Sequence, residues 1–282
     1  MNNLTDIETR ELLDHLCERF NHEEFIEHDP ISIPRRFSSP EDIEIAGLFA
    51  STIAWGNRKA IVKSAGRMME FMDNAPYDFV LNATGRDLYS LQGYVHRTFN
   101  GIDLMDFVVA TRSICEEYGS LGKLVVELYN QSQSIPKVLS NFRSRFLQSE
   151  HHPHCEKHIS SIDKGAACKR LNMYLRWMVR HDNNGVDFGL WREIPMSALY
   201  LPLDVHSGNV ARTLGILTRK QSDWKAVSEA TTTLRNFDCE DPIRYDFALF
   251  GAGIEGVLGD YLKGTSNNSP KYFSATIHPF RS

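Results

Sequence analysis

Apolar residues recur at intervals of three and four almost throughout this chain, the period of a helix with one buried face. Leu12, Leu13, Leu16 and Phe20 form one stripe behind Thr5-x-x-Glu8, a capping box whose hydroxyl and carboxylate satisfy amides that a helix start leaves open. Ile43, Ala46, Leu48, Phe49 and Ile53 form another after Ser39-Pro40, a cap followed by proline at the first helical position. The same punctuation predicts helices from Arg58 to Met72 after Asn57, from Leu104 to Tyr118 after Asp103 and from Ile135 to Leu147 after Ser134. It also predicts Trp224 to Phe237 after Ser222-Asp223, and Ile243 to Ile254 after Asp241-Pro242. No segment alternates with a period of two for long enough to read as a strand. The expected fold class is all-α, with roughly ten helices.

Three segments break the pattern: His151 to Ile162, Asp182-Asn183-Asn184-Gly185 on to Trp191, and the tail from Gly264 through Ser266, Asn267, Asn268, Ser269 and Pro270, which reads as a terminal loop. With 282 residues, 42% hydrophobic and 11% aromatic, the chain can bury a sizeable core in one or two domains. No apolar run approaches the roughly 18 residues that a bilayer span needs. Its first residues carry acid where a signal peptide carries base, so the expected location is cytoplasmic. Five scattered cysteines without a Cys-x-x-Cys pair indicate reduced thiols rather than a disulfide framework.

Net charge is −5, which taken alone argues against a dedicated nucleic-acid binder. Charge is unevenly placed, however. Arg58, Lys59, Lys63 and Arg67 make one locally basic stretch, and Lys164, Lys169, Arg170, Arg176 and Arg180 make another. Each is either a solvated helix face or an anion-binding surface.

Between about residues 166 and 180, Leu171, Leu175 and Met178 form an apolar stripe and Lys169, Met173, Arg176 and Arg180 share another face. Lys169 then sits in the first turn. A cation at the positive end of a helix is placed against the usual preference for acids, and only a neutral amine attacks carbon. The bland reading is a solvated lysine in a basic helix. Asp204 precedes Val205, Val210, Ala211, Leu214 and Leu217, where an N-cap acid belongs; it can be only a cap, or a cap that also faces a cleft and stabilises positive charge.

Ala167-Cys168-Lys169-Arg170-Leu171-Asn172-Met173-Tyr174-Leu175-Arg176, taken with Pro202-Leu203-Asp204-Val205-His206-Ser207-Gly208-Asn209-Val210-Ala211-Arg212, resembles the helix-hairpin-helix DNA glycosylase superfamily. The resemblance is strongest to its 8-oxoguanine DNA glycosylase/AP lyase branches, and the chain also resembles an uncharacterised bacterial family of this length that carries the same blocks. In that superfamily the hairpin Leu-Pro-Gly-Val-Gly-x-Lys presents a nucleophilic lysine and Pro-Val-Asp-x-His presents an assisting aspartate. Here Asp163-Lys164-Gly165-Ala166-Ala167-Cys168-Lys169 keeps the first glycine and the lysine, while the proline and the second glycine have become Lys164 and Ala167. A third block, Leu48 to Ala60, is similar to the early helix pair whose intervening turn fills the gap left by a flipped base.

The resemblance implies a two-domain fold with a cleft between the domains: residues 40–185 as one domain ending in the lysine helix, and 1–39 with 186–282 as the other, carrying the aspartate. It implies base-excision repair, with Lys169 attacking C1′ and Asp204 stabilising the cationic sugar. Double-stranded DNA with a damaged base is the expected partner of a monomer, and no membrane is involved. Ser51, Thr52, Asn57, Arg58, Lys164, Gly165, Arg170 and His206 are the implied DNA-contacting residues; Trp55, Asp246, Phe247 and Phe250 are candidates for the base pocket, with core packing the alternative for both phenylalanines. No metal or cofactor is required, and an iron–sulfur cluster is excluded because only Cys239 lies where four cysteines are needed.

Two other classes remain open. The same fold can bind nucleic acid without cutting it, as the altered hairpin suggests. An all-α metal phosphohydrolase could draw on His181, Asp182, Asp204 and His206, although His181-Asp182 runs into a turn. His154 and His158, four residues apart with Cys155 between them, are chemically able to hold zinc, but a fourth ligand is not evident.

Overall fold

The structure, a computed structural model, describes residues 4–259 and 261, so the tail from Gly264 lies outside it. Among the described residues it is all-α. The helices are α1 (Asp6–Phe20), α2 (Pro40–Thr52), α3 (Arg58–Phe71), α4 (Pro76–Asn82), α5 (Gly85–Ser90), α6 (Gly101–Tyr118), α7 (Leu121–Ser132), α8 (Ile135–Phe146), α9 (Lys169–Val179), α10 (Val205–Thr213), α11 (Trp224–Phe237) and α12 (Tyr245–Glu255). A two-stranded antiparallel hairpin, Val95–His96 against Phe99–Asn100, is the one sheet among them.

Caps set most of the boundaries. The Thr5/Glu8 box closes α1, and Ser39, Asn57 and Asp223 cap α2, α3 and α11. Two starts differ from expectation for a local reason. Asn100 caps α6 while Asp103 answers from the third helical position, so the helix begins earlier than Leu104. Pro242 to Arg244 forms a 3₁₀ turn, and α12 begins only at Tyr245.

Helix α2 is central: every residue from Ile43 to Thr52 is buried. It packs on α4, α7 and α9, and Gly47 makes the last contact close, since a β-carbon there would lie 2.5 Å from Met178 Cε and 3.1 Å from the Tyr174 ring. The N-terminal helix α1 packs on α12, which also packs on α10. One continuous apolar core joins these groups, running from Leu12 to Leu258. Each large side chain buried in it contributes about 1.5–3 kcal/mol.

Candidate functional site

Helix α9, anchored by its contact with α2, carries Lys169 at its first position. The chain reaches it through a turn in which Gly165 has φ +80, a left-handed conformation that explains why glycine persists there. Ala167 does not need positive φ, whereas Cys168, the N-cap, takes φ +49. The turn's amides are engaged internally: Lys164 N–H donates to Ser161 Oγ (3.4 Å), Gly165 N–H to Ile162 O (2.8 Å) and Ala166 N–H to Ser161 O (3.1 Å). A backbone bond from Trp224 to Gly165 O ties the turn to the start of α11.

Asp204 caps α10. Its Oδ1 accepts from Ser207 N–H (2.9 Å) and Ser207 Oγ (3.2 Å), and Ser207 Oγ accepts from Asp204 N–H (3.0 Å). The other oxygen, Oδ2, lies 4.0 Å from Lys169 Nζ, with the lysine side chain 26% and the aspartate 20% exposed. The cap role and the cleft-facing role thus fall on different oxygens of one carboxylate.

Both groups line a cavity of about 570 Å³. The α2–α3 junction supplies Trp55 and Arg58, α9 supplies Arg170 and Arg176, α10 supplies His206, and α12 supplies Asp246 and Phe250. The guanidinium of Arg170 lies over the Trp55 ring (5.0 Å) and also donates to Thr52 O. Arg58 lies over Phe250 (4.9 Å) and pairs with Asp29 (3.3 Å). His206 meets Phe250 edge-on at 6.2 Å.

The cavity floor is ionic. Asp246 is buried and paired with Arg176. Burial pushes its carboxyl up to about 6 against the opposing charge of Arg176, with nearby Asp204 adding to the rise and Lys169 opposing it. Behind it, Asp187 bridges Arg176 (3.3 Å) and Arg180 (3.1 Å), and Arg180 also holds Asp182 (2.8 Å) and Asp241 (3.0 Å).

Several expected residues lie elsewhere. Ser51 and Thr52 are in the last turn of α2 at 1% and 2% exposure, with Ser51 Oγ bonded to Leu48 O; they are interior, and Asn57, which caps α3, is the polar residue of that junction at the surface. Phe247 is fully buried outside the cavity, its ring under Arg176 (4.4 Å) and Arg180 (5.2 Å). Lys164 and Gly165 are exposed on the hairpin turn, away from the cavity lining. Arg176 and Arg180, read from sequence as part of a basic surface, are at 4% and 2% exposure.

Asp29 follows Glu23, Glu24 and Glu27 in an acidic run of the sequence and does not stand out from it as a site residue. The signal for it was Asp29-Pro30, a cap before a proline: its Oδ1 accepts from Ile31 N–H (3.1 Å), which leaves Oδ2 for Arg58. His181, Asp182, Asp204 and His206 do not form a metal-ligand group among the described residues, whereas Asp103, His154 and His158 do.

An all-helical chain with a lysine and a carboxylate facing each other on an aromatic and cationic cavity is the class of protein defined so far. Residues 29–255 match the family described as "Protein of unknown function (DUF2400)", and the chain belongs to that family. No curated protein and no solved structure matches it.

Proposed function

We propose that this protein is a DNA glycosylase with AP lyase activity, which takes a damaged base, 8-oxoguanine in the first instance, out of the duplex and removes it by lysine imine chemistry. The observation that carries the reading is the placement of Lys169 Nζ 4.0 Å from Asp204 Oδ2 on a cavity of about 570 Å³, a size within the range of small-molecule sites.

The nucleotide flips into the cavity at a cost of a few kcal/mol. The Lys169 nitrogen forms a bond to C1′ as the glycosidic C1′–N bond breaks and the base leaves, taking a proton. The sugar ring opens to a protonated imine. Asp204 Oδ2 accepts the proton that the ammonium must lose before attack and then faces the cationic sugar, while Ser207 holds Oδ1 and fixes the carboxylate plane. Loss of a C2′ proton expels the 3′ phosphate, and water releases the amine. Trp55, under Arg170, and Phe250, under Arg58, supply aromatic lining against which a base can pack once those guanidinium groups move to the phosphates, and Asp246 offers an edge contact. Arg58, Arg170 and His206 bring positive or hydrogen-bonding groups to the cavity lining, with Lys164 and Asn57 on the surface outside it.

The test is a strand-nicking assay on end-labelled duplexes containing 8-oxoguanine, uracil or an abasic site. Expected is a product with a 3′ unsaturated aldehyde from at least one duplex, lost in Lys169→Gln. Intact strands from all three contradict the proposal. The internal engagement of the hairpin amides favours one rival, a non-catalytic nucleic-acid-binding protein of the same fold; it predicts a retarded duplex that is never cut.

A further inference from the structure

The segment from His151 to His158 takes no part in the cleft, yet it is tightly organised. Its 3₁₀ turn, Pro153–His158, packs on the first turn of α6. There Asp103 is fully buried at 0% exposure. Its Oδ2 accepts from Asn100 N–H (2.9 Å), and His154 Nδ1 lies 2.7 Å from Oδ1. His158 is also buried, at 4%, with Nε2 aimed at Asp103 Oδ2 across 3.3 Å and no hydrogen bond completed. Two imidazoles converging on one buried carboxylate form a donor set that a cation satisfies at once, His158 meeting Asp103 only at ion-pair distance.

We propose that Asp103, His154 and His158 bind one divalent first-row transition ion, with Zn²⁺ the best match to two imidazoles and a carboxylate. The three donor atoms lie within 4.8 Å of one another. Zinc bonds of about 2.0–2.1 Å at tetrahedral angles place ligand atoms roughly 3.3–3.4 Å apart. His158 Nε2 lies 3.3 Å from Asp103 Oδ2 and His154 Nδ1 lies 2.7 Å from Oδ1, so the two imidazoles meet opposite oxygens of one carboxylate, and a small turn of that carboxylate brings a single oxygen to both. A fourth position falls on the side of His154, whose side chain is 35% exposed, and is filled by water. Lys157 Nζ reaches His154 Nε2; it is exposed and retreats into solvent when Nδ1 takes the ion and the proton settles on Nε2.

The role is structural. The His158 ring stacks on Trp55, centroids 6.0 Å apart at 20°, and Arg170 covers the same indole. The ion therefore pins the segment to α6 and fixes the platform behind the Trp55 wall of the cavity. This inference rests on nothing in the glycosylase reading.

Full-length protein stripped with chelator and re-equilibrated with Zn²⁺ alone, or Co²⁺ alone, provides the test. Expected are one Zn²⁺ per chain by elemental analysis, a thermal midpoint that rises with Zn²⁺, and visible Co²⁺ bands of a four- or five-coordinate ion. His154→Gln, the half-exposed ligand, should weaken affinity at least about 100-fold while leaving the helical circular dichroism unchanged; His158→Gln should do the same or more. Less than half an equivalent of Zn²⁺ at micromolar concentration, or unchanged affinity in a folded His154→Gln variant, overturns the proposal.

Discussion

Helix α9 carries cations at both ends, and the two ends have opposite surroundings. At its start, Lys169 is about a quarter exposed and has a single carboxylate at 4.0 Å, beyond hydrogen-bond reach. At its other end, Arg176 and Arg180 are almost wholly buried, with Asp187 between them and Asp246, Asp241 and Asp182 around them. A buried pair cannot lose one member without leaving an uncompensated charge in a poorly solvating interior. A partly exposed pair at 4 Å costs little to rearrange. The arginines are thus locked into the architecture while the lysine is free to change partner, which is what a nucleophile requires.

The sharpest way to break this comparison is to remove one cation from each end. Lys169→Gln should abolish strand nicking, a loss of at least about a thousandfold if imine chemistry operates, yet shift unfolding free energy by no more than about 0.5 kcal/mol. Arg180→Met should do the reverse in kind, destabilising by about 3–5 kcal/mol because Asp187 and Asp241 lose their counter-charge. Urea denaturation of both variants, read beside the nicking assay, checks the contrast. Equal stability losses at the two ends would remove the distinction.

Asp204 sharpens the comparison, because its two oxygens face different groups, Oδ1 the cap residue Ser207 and Oδ2 Lys169. Asparagine is a good N-cap, so Asp204→Asn should leave stability within a few tenths of a kcal/mol while lowering the nicking rate at least about tenfold. Asp204→Ala should add a stability loss of about 1 kcal/mol. A fully active Asp204→Asn protein would assign the carboxylate to capping alone.

Asp246 links the two ends, and its titration shows which charge state the fold prefers. Its carboxyl is raised by burial to about 6 from an ordinary 3.8, so the fold favours the neutral form. The stability this contributes is full below about 4 and is lost as pH rises through about 6. The unfolding free energy of the wild type minus that of Asp246→Asn should therefore fall between pH 4 and pH 6 and level off above. A difference that rises with pH over that interval would show that the carboxylate form is the one the fold prefers.

The all-helical class and many helix starts were legible because caps and apolar periodicity are local. Thr5 with Glu8, Ser39 before Pro40, and Asp223 before Trp224 announce themselves within four residues. Lys169 and Asp204 were legible only as a pair of helix starts carrying a resemblance; their 4.0 Å approach depends on α9 packing against α2 and α10 against α12, which no window of sequence contains. The burial of Arg176 and Arg180 was hidden for the same reason. Their partners Asp187, Asp241 and Asp246 lie up to 70 residues away and carry no pattern of their own, so a basic helix face looked solvated. Ser51 and Thr52 show the opposite error. They are small polar residues in a helix that is apolar on every side, where a hydroxyl can bond back to a carbonyl one turn earlier and be buried.

The central claim is that the Lys169 amine is the nucleophile, and borohydride reduction tests it most directly. Protein incubated with a lesion-bearing duplex and reduced in place should give one covalent protein–DNA species, whose digestion places the sugar remnant on the peptide containing Lys169. The adduct should be missing in Lys169→Gln and reduced in Asp204→Asn. No adduct with 8-oxoguanine, uracil or abasic duplexes, or an adduct that persists in Lys169→Gln, would contradict the account.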